Sequence, residues 1–225
     1  MHHRLWRVTQ PGLIDAIADT VAAAPGVIAD GHHRYETALA WQQEVRAVSG
    51  DGPGDHDLVL AYLVELAPGQ LSVGPIHRAL SSLPDDFDVL SALDGAFELS
   101  DGGPADPGLP ARMAAAGALG LVVGGTTWLA RPVAVNGQEP GSEPDAALLQ
   151  RLLADWPDHT TEYLHRVDDV VAAVGNGRAQ VGLVLRPPTV DQIAGTARSG
   201  SKMPPKTTFF RPKPRTGMVF RRLRD

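Results

Sequence analysis

The pattern of apolar and polar positions predicts both helices and strands, and their order along the chain is irregular. Over residues 12–24, Leu13, Ile14, Ile17 and Val21 recur at helical spacing and form one apolar stripe. Further helices are predicted over residues 32–48, 82–95, 111–117, 146–156, 165–175 and 189–199. Strands are predicted over residues 3–8, 27–29, 58–66, 71–80, 97–99, 119–123, 126–133, 180–185 and 218–222. This irregular mixture indicates the α+β class, with one or more mixed sheets and helices packed on them.

Two local signals place individual boundaries. Gly124-Gly125 lies between two apolar runs and predicts a hairpin, and Thr189 with Gln192 three residues later forms a capping box that starts a helix. Loops rich in Gly, Pro and Asp are expected at residues 49–57, 101–110 and 136–145. We expect one compact α+β unit over residues 1–225 and, if it divides into two subdomains, a boundary near residues 100–110.

Composition excludes several classes of protein. The 225 residues are 43% hydrophobic and 20% charged, and they include no cysteine, so disulfides, thiol catalysis and cysteine-ligated metals are excluded. No run of about 18 apolar residues occurs, and therefore no membrane-spanning helix and no membrane partner are expected. The first residues lack the apolar stretch of a signal peptide. A cytoplasmic location fits these features.

The net charge of −6 hides an uneven distribution. Residues 202–225 carry eight Lys/Arg against one Asp, or +7, which leaves −13 for the rest of the chain. A basic terminal segment can bind nucleic acid. Here prolines and apolar residues interrupt the charges, so we expect a folded segment that packs against the acidic part of the chain. We therefore expect no nucleic-acid partner.

The run Asp30-Gly31-His32-His33-Arg34 carries the main chemical signal. An apolar triplet enters an Asp-Gly turn, and a helix-forming sequence follows. The helix dipole disfavours cations in the first turn by about 0.3–1 kcal/mol each. The free N–H groups of a helix N-terminus bind anions, and neighbouring His and Arg side chains suit the same ligand. This strand–turn–helix segment therefore predicts a phosphate site.

Two other interpretations of this run stay open. Asp30 can pair with Arg34 or cap the helix while the histidines face water. Alternatively, Asp30, His32 and His33 can bind a metal, although adjacent histidines point to different sides of a helix and further ligands are then needed.

Two later segments carry residues that suit an anion. His77 and Arg78 end a predicted strand, and Lys206 and Thr207 follow two prolines that restrict the backbone. Lysine binds phosphate as a point charge, and hydroxyls donate to its oxygens. The alternatives are an ordinary surface pair at residues 77–78 and a solvated lysine in a proline-rich connection.

The chain lacks the common sequence signatures of hydrolases and nucleotide-binding proteins. It has no Gly-x-Ser-x-Gly elbow, no Walker loop and no Gly-x-Gly-x-x-Gly loop. Any phosphate chemistry must therefore use another architecture.

Three segments together resemble a bacterial and archaeal family known as domain of unknown function 1015. They are IADGHHRYETAL, the strand ending in PIHR, and the closing segment RPPTVDQIAGTARSGSKMPPKTTFFRPKPRTGMVF. Members of that family are longer at the N-terminus, so the resemblance implies that this chain matches the C-terminal part and lacks an N-terminal portion. The Asp-Gly-His-His-Arg run is also similar to the phosphate-binding motif of the ParB/sulfiredoxin-like superfamily, which includes chromosome-partition CTPases and a free-serine kinase.

Together these features favour an enzyme that acts on a phosphorylated small molecule or nucleotide by phosphoryl transfer or hydrolysis. Two sets of residues are the candidates. The catalytic candidates are Asp30, His32, His33 and Glu36, with Asp30 or Glu36 as a base or a ligand of Mg²⁺ that accompanies a nucleotide. The anion-binding candidates are Gly31, Arg34, His77, Arg78, Lys206 and Thr207.

We expect Arg34, His77 and Lys206 to share one pocket at the start of the helix near residue 32. Two other functions compete with the enzyme: a nucleotide- or nucleic-acid-binding regulatory module without turnover, and an inactive truncated family member. A homo-oligomer is compatible with any of them.

Overall fold

The fold is taken from a computed structural model. The structure describes residues 4–24, 26–65, 67, 72–134, 141–200, 203–211, 213 and 217–223. The chain divides into two units. We call residues 66–211 the sheet unit, and residues 1–65 together with 212–225 the terminal unit.

The described residues of the sheet unit form eight strands arranged in two antiparallel sheets. Its strands are β1 Ser72–Gly74, β2 His77–Ser81, β3 Phe97–Asp101, β4 Leu119–Val123, β5 Thr126–Pro132, β6 Thr160–Leu164, β7 Val181–Val184 and β8 Phe209–Arg211. Six of them form one sheet in the order β3-β5-β4-β7-β2-β6, and β1 pairs with β8. Every described pair is antiparallel, where a mixed sheet was expected. The α+β class is confirmed.

Helices cover both faces of the six-stranded sheet. The helices of this unit are α3 Leu109–Ala116, α4 Asp145–Ala154, α5 Val167–Gly175 and α6 Val190–Arg198, with a 3-10 turn at Ser91–Leu93. Leu119 and Leu121 of β4 pack with Leu149 of α4 in one apolar cluster. Met113 of α3 and Val170 of α5 belong to a second cluster. Because strand side chains alternate between faces, the sheet buries apolar residues on both sides.

Close packing of α5 on the sheet depends on a glycine in β7. A Cβ atom on Gly182 would lie 2.6 Å from Cγ1 of Val170 and 3.2 Å from Cγ2 of Val174. The helix therefore lies against the strand backbone where any larger residue would force it away.

The predicted hairpin and capping box are both confirmed. β4 and β5 flank Gly124-Gly125 and pair in register from Val123–Thr126 onward. In α6, the Thr189 side chain accepts a hydrogen bond from the Gln192 N–H at 3.1 Å, and the Gln192 side chain accepts one from the Thr189 N–H at 2.9 Å. Both signals are local, which is why the sequence suffices for them.

The helix predicted over residues 82–95 is wrong. Ser82 has φ 66°, and turns with one 3-10 segment replace the helix. The Asp88 carboxylate accepts the N–H groups of Leu90 and Ser91, each at 3.1 Å, and the Ser91 hydroxyl at 2.7 Å. Side-chain acceptors of this kind compete with the helical backbone bonds.

The described part of the terminal unit forms two helices and a 3-10 turn. These elements are α1 Pro11–Ala22, α2 His32–Ser49 and the turn Asp55–Asp57. Strands predicted over residues 3–8, 27–29, 58–66 and 218–222 do not form in the described parts of those segments. Residue 3 and residue 66 lie outside the described residues. A strand needs a neighbour to accept and donate its backbone bonds, and sequence preference does not supply one.

Asp57 links α2 to the 3-10 turn that follows it. Its carboxylate accepts hydrogen bonds from the Gly54 N–H at 2.9 Å, from Gln42 at 2.8 Å and from Arg46 at 2.7 Å. These bonds, led by that of Gly54, lower the pKa of Asp57 to about 2. The basic tail reaches the same segment, because Arg221 donates to the carbonyls of Leu58 and Asp55 at 2.6 and 2.8 Å.

Residues 100–110 lie inside the sheet unit, where β3 ends and α3 begins. The subdomain boundary expected there stays a prediction.

Candidate anion site

The start of α2 holds most of the predicted site residues. Gly31 precedes the helix with φ 88° and ψ 27°, in the left-handed region that favours glycine. No side chain caps this helix end, and the first turn contains no acidic residue. The first intrahelical bond runs from the Tyr35 N–H to the Gly31 carbonyl at 3.0 Å. Helix geometry therefore leaves the N–H groups of residues 32–34 without intrahelical acceptors.

Arg34 folds back over the Gly31 turn. A Cβ atom on Gly31 would lie 2.9 Å from the Arg34 Nη2 atom, so the guanidinium occupies the space above this glycine. The Arg34 side chain nevertheless stays 81% exposed. A cation thus lies beside the free N–H groups and remains accessible to a ligand.

Asp30 is an ionised carboxylate that binds two cations. Its Oδ2 atom lies 3.2 Å from Lys213 Nζ and 3.9 Å from Arg34 Nη2. Burial raises the pKa of Asp30, but the hydrogen bond and charge of Lys213, with the charge of Arg34, outweigh this effect and lower it. Lys213 is a site neighbour that the sequence analysis did not single out, because 183 residues separate it from Asp30.

The remaining residues of this cluster lie on the helix surface. His33 Nδ1 is 3.3 Å from Glu36 Oε2, and His32 is exposed. Thr37 donates its hydroxyl hydrogen to the His33 carbonyl at 2.8 Å. Both histidines and Glu36 are accessible to a ligand bound at the start of the helix.

The second predicted set lies in the sheet unit, at the start of β2. Arg78 is 6% exposed, and its guanidinium donates to the Ile76 carbonyl and, at 3.0 Å, to the Lys206 carbonyl. It also lies 4.7 Å above the Tyr163 ring centre. Among the described residues it contacts no carboxylate. Arg78 therefore fixes the proline-rich segment 203–208 to the sheet.

That segment holds Lys206 in an unusual backbone conformation. Lys206 has φ 58°, and its side chain is exposed beside Pro205. Thr207 is buried and donates its hydroxyl hydrogen to the Pro204 carbonyl at 2.6 Å. Of these residues, only Lys206 presents a free hydrogen-bond donor to solvent without rearrangement.

His77 is neutral at pH 7. It is 3% exposed, and its Nδ1 atom accepts the Leu185 N–H at 3.1 Å. Burial, followed by the charges of Arg78 and His165, lowers the pKa of His77 to about 4. Any contact of His77 with an anion would therefore be that of a neutral N–H donor.

The two predicted sets thus belong to different units. The pocket expected to join Arg34, His77 and Lys206 stays a prediction.

The described residues also form a pocket away from the predicted site residues. The pocket, of about 420 Å³, is lined by loop 141–144 and by polar residues of α6, and it contains none of the predicted site residues. No group of three or more His, Asp or Glu residues that could hold a metal occurs in the described part of the chain. No described helix is both long and apolar enough to cross a membrane.

Comparison with solved structures finds distant similarities. A conserved hypothetical protein from Pyrococcus furiosus is 17% identical, with 91% of this chain and 84% of that chain covered and a TM-score of 0.45. A free serine kinase in complex with AMP is 18% identical, with 91% and 81% covered and a TM-score of 0.46. A variant of free serine kinase in complex with ADP is 15% identical, with 78% and 80% covered and a TM-score of 0.42.

No curated protein matches the chain. A family model does match, over residues 1–154, which is more than half of the chain and includes the Asp-Gly-His-His-Arg run but not the closing segment. The chain therefore belongs to the family described as "Protein of unknown function (DUF1015)".

Proposed function

We propose that this protein is an enzyme that binds the phosphate of a nucleotide or other phosphorylated small molecule at the start of α2. One observation carries the proposal. A helix N-terminus with free N–H groups follows a left-handed glycine turn, has no acidic residue in its first turn and bears Arg34 beside those N–H groups.

Electrostatics in the same chain support this interpretation. Helices α4, α5 and α6 each carry an Asp in the first turn, where a negative charge is stabilised by the helix dipole, whereas the first three residues of α1 and of α3 carry no charge of either sign. The first turn of α2 carries His32, His33 and Arg34 instead. A bound phosphate would supply the missing negative charge and accept the free N–H groups.

The charged and titratable residues at the start of α2 suit different roles in catalysis. Because Lys213 and Arg34 hold Asp30 ionised, this carboxylate is a weak base and is better suited to orienting the two cations. Glu36 and the histidines remain the candidates for proton transfer or for accepting a phosphoryl group. Arg34 would stabilise the charge on the phosphoryl oxygens as it develops.

We expect Mg²⁺ at this site only when it is bound together with a nucleotide. Asp30 and Glu36 are the two carboxylates of the cluster, and Asp30 already faces two cations. Among the described residues, no group of three or more His, Asp or Glu could hold a metal, so an ion at this cluster would need oxygens of the bound nucleotide as further ligands. The expected cytoplasmic location likewise remains a proposal.

Isothermal titration calorimetry with inorganic phosphate, AMP and ADP tests the binding step. We expect Arg34→Ala to weaken binding by about 1.5–3 kcal/mol, or roughly 10- to 150-fold, because a charge-assisted contact is lost. Arg166→Ala is the matched control. Arg166 also lies at a helix N-terminus, but it pairs at 2.9 Å with Asp168 in an acidic first turn. Absence of binding to the parent protein at millimolar ligand would overturn the proposal.

Turnover distinguishes the enzyme from a regulatory binding module. Release of phosphate from ADP or ATP, or its transfer to small hydroxyl compounds, would be followed by ³¹P NMR. We expect turnover to be lost in Glu36→Gln or in a His32/His33 double alanine variant while ADP still binds. Binding without turnover across the tested acceptors would instead favour the regulatory module.

The basic tail argues against nucleic acid as the ligand. Lys213 pairs with Asp30, and Arg221 pairs with Asp55 at 3.1 Å, so both cations already contact carboxylates in the terminal unit. We expect no duplex DNA binding at physiological salt in a shift assay. Tight binding that falls steeply with salt would favour the nucleic-acid module instead.

A further inference from the structure

The two units differ sharply in how they bury apolar side chains. All 27 buried apolar residues in the described part of the chain belong to the sheet unit. Of the 23 exposed large apolar residues, 22 belong to the terminal unit. Soluble monomers rarely leave apolar residues exposed in such numbers in one region, and such regions commonly mark interaction surfaces.

Residues 58–64 are the most unusual part of this unit. The run Leu-Val-Leu-Ala-Tyr-Leu-Val has no regular secondary structure, carries no charge and is exposed at every position. The segment belongs to neither described sheet. Arg221 donates a hydrogen bond to the carbonyl of Leu58, the first residue of the segment. Among the described residues, the backbone groups of residues 59–64 make no hydrogen bond.

This segment has the composition of a strand that is covered on both faces. Apolar residues occupy consecutive positions, so both faces of the strand are apolar. Its free edges are a template for pairing with another strand. Helix α1 adds further unburied apolar surface in the same unit, since Leu13, Ile14, Ile17 and Val21 are 44–54% exposed.

We propose that residues 58–64 pair antiparallel with the same residues of a second copy of this chain, forming a twofold dimer through the terminal units. A strand without charges can lie antiparallel to its own copy with no like charges opposed along residues 58–64. The terminal unit has nine Lys/Arg and ten Asp/Glu, so its net charge of −1 scarcely opposes self-association. This balance also gives no excess of positive charge to attract an anionic membrane surface.

The exposed apolar area of the terminal unit is comparable with what a stable dimer buries. A large apolar side chain exposes roughly 60–120 Å² when fully accessible. The ten large side chains of residues 58–64 and of the α1 stripe are about half exposed, which gives roughly 300–600 Å² for each copy. A standard interface buries about 800 Å² for each partner, of which a little over half, or roughly 450 Å², is apolar.

Sedimentation velocity of the full chain from about 1 to 100 µM tests the assembly. We expect a reversible dimer whose dissociation constant rises at least tenfold in Leu60→Asp and in Tyr62→Asp. Val48→Asp, which changes an 89% exposed apolar residue at the end of α2, is the control and should leave the dimer intact. Far-UV circular dichroism should be unchanged in all three variants, because each replaces an exposed side chain.

Cysteine cross-linking tests the position of the contact. The chain has no cysteine, so Ala61→Cys introduces a single thiol at the centre of the strand. We expect mild oxidation to yield a disulfide-linked dimer from at least one of the single cysteine variants at residues 60–62, because residues near a twofold axis approach their own copies. Val48→Cys should remain uncross-linked.

Several outcomes would overturn the inference. They are a monomer throughout the concentration range, open-ended oligomers, a dimer that Leu60→Asp does not weaken, or equal cross-linking of Val48→Cys. The dimer does not depend on phosphate binding, since the substitutions at residues 60–62 lie outside α2 and Val48 lies at the opposite end of α2 from Arg34. A variant that loses dimerisation but still binds phosphate, or the reverse, can therefore be recognised.

Discussion

The neutral state of His77 makes the stability of the sheet unit depend on pH in a defined window. His77 is the first residue of β2, it is 3% exposed, and its Nδ1 atom accepts the Leu185 N–H. Burial is the largest cause of its lowered pKa, and the neighbouring charges of Arg78 and His165 act in the same direction. In the unfolded chain, where these causes are absent, the pKa of a histidine is about 6.5.

Whether acid raises or lowers the free energy of unfolding depends on which state, folded or unfolded, binds the proton more tightly. Between pH 6.5 and pH 4, the unfolded chain protonates His77 and the folded chain does not, so acid favours unfolding. The contribution is fully present above pH 6.5 and is lost as the pH falls toward 4. A pKa difference of about 2.5, from 6.5 to about 4, corresponds to about 3 kcal/mol. This is a large part of the 5–15 kcal/mol that typically stabilises a domain.

Urea unfolding at several pH values between 7 and 4 measures this contribution. His77→Asn is the comparison, because its amide oxygen can accept the Leu185 N–H while the side chain does not titrate. We expect the parent protein to lose about 3 kcal/mol more than the variant across the window. A difference below about 1 kcal/mol, or an NMR titration of the His77 ring near pH 6.5, would refute the reasoning.

Two further predictions concern glycines. Gly182→Ala should lower the free energy of unfolding by about 1–3 kcal/mol in urea titrations, because its Cβ atom would overlap Val170; an unchanged midpoint would contradict the close approach of α5. Gly31→Ala should weaken phosphate or ADP binding more than tenfold in calorimetry, because its Cβ atom would displace Arg34. Gly50→Ala at the other end of α2 is its control, since that glycine also has a positive φ of 81° but open space around it. Gly31→Ala should lose about 1–2 kcal/mol of stability because the glycine is in the left-handed region. Gly50→Ala should lose about 1–3 kcal/mol, because φ 81° with ψ −179° is adopted almost only by glycine. Equal ligand binding by both would remove Gly31 from the site.

Local patterns in the sequence were sufficient for much of the sheet unit. The hairpin at Gly124-Gly125 and the capping box at Thr189 each depend on residues a few positions apart. Helices α3 to α6 follow the predicted segments to within a few residues. The helix predicted over residues 82–95 failed because the pattern does not weigh the side-chain acceptor of Asp88 against backbone bonds.

The strands of the terminal unit show the opposite case. Residues 58–64 have the continuous apolar sequence of a buried strand, yet they pair with no neighbour among the described residues. Strand formation is a property of two segments, and the sequence of one does not identify its partner. The proposed pairing with a second copy is therefore an inference from the surface that the structure exposes.

For the candidate site, the sequence alone determined which residue types occur and at which helix end. It placed Gly31 before a helix and Arg34 within the first turn, because turn preference and helix periodicity act over a few residues. The tertiary structure alone decided their surroundings: it brought Lys213 to Asp30, made His77 neutral by burial, and turned Arg78 into the support of the segment that carries Lys206. Charge state and hydrogen-bond partners depend on what the folded chain brings within a few ångströms, and residues more than 100 positions apart supply much of it.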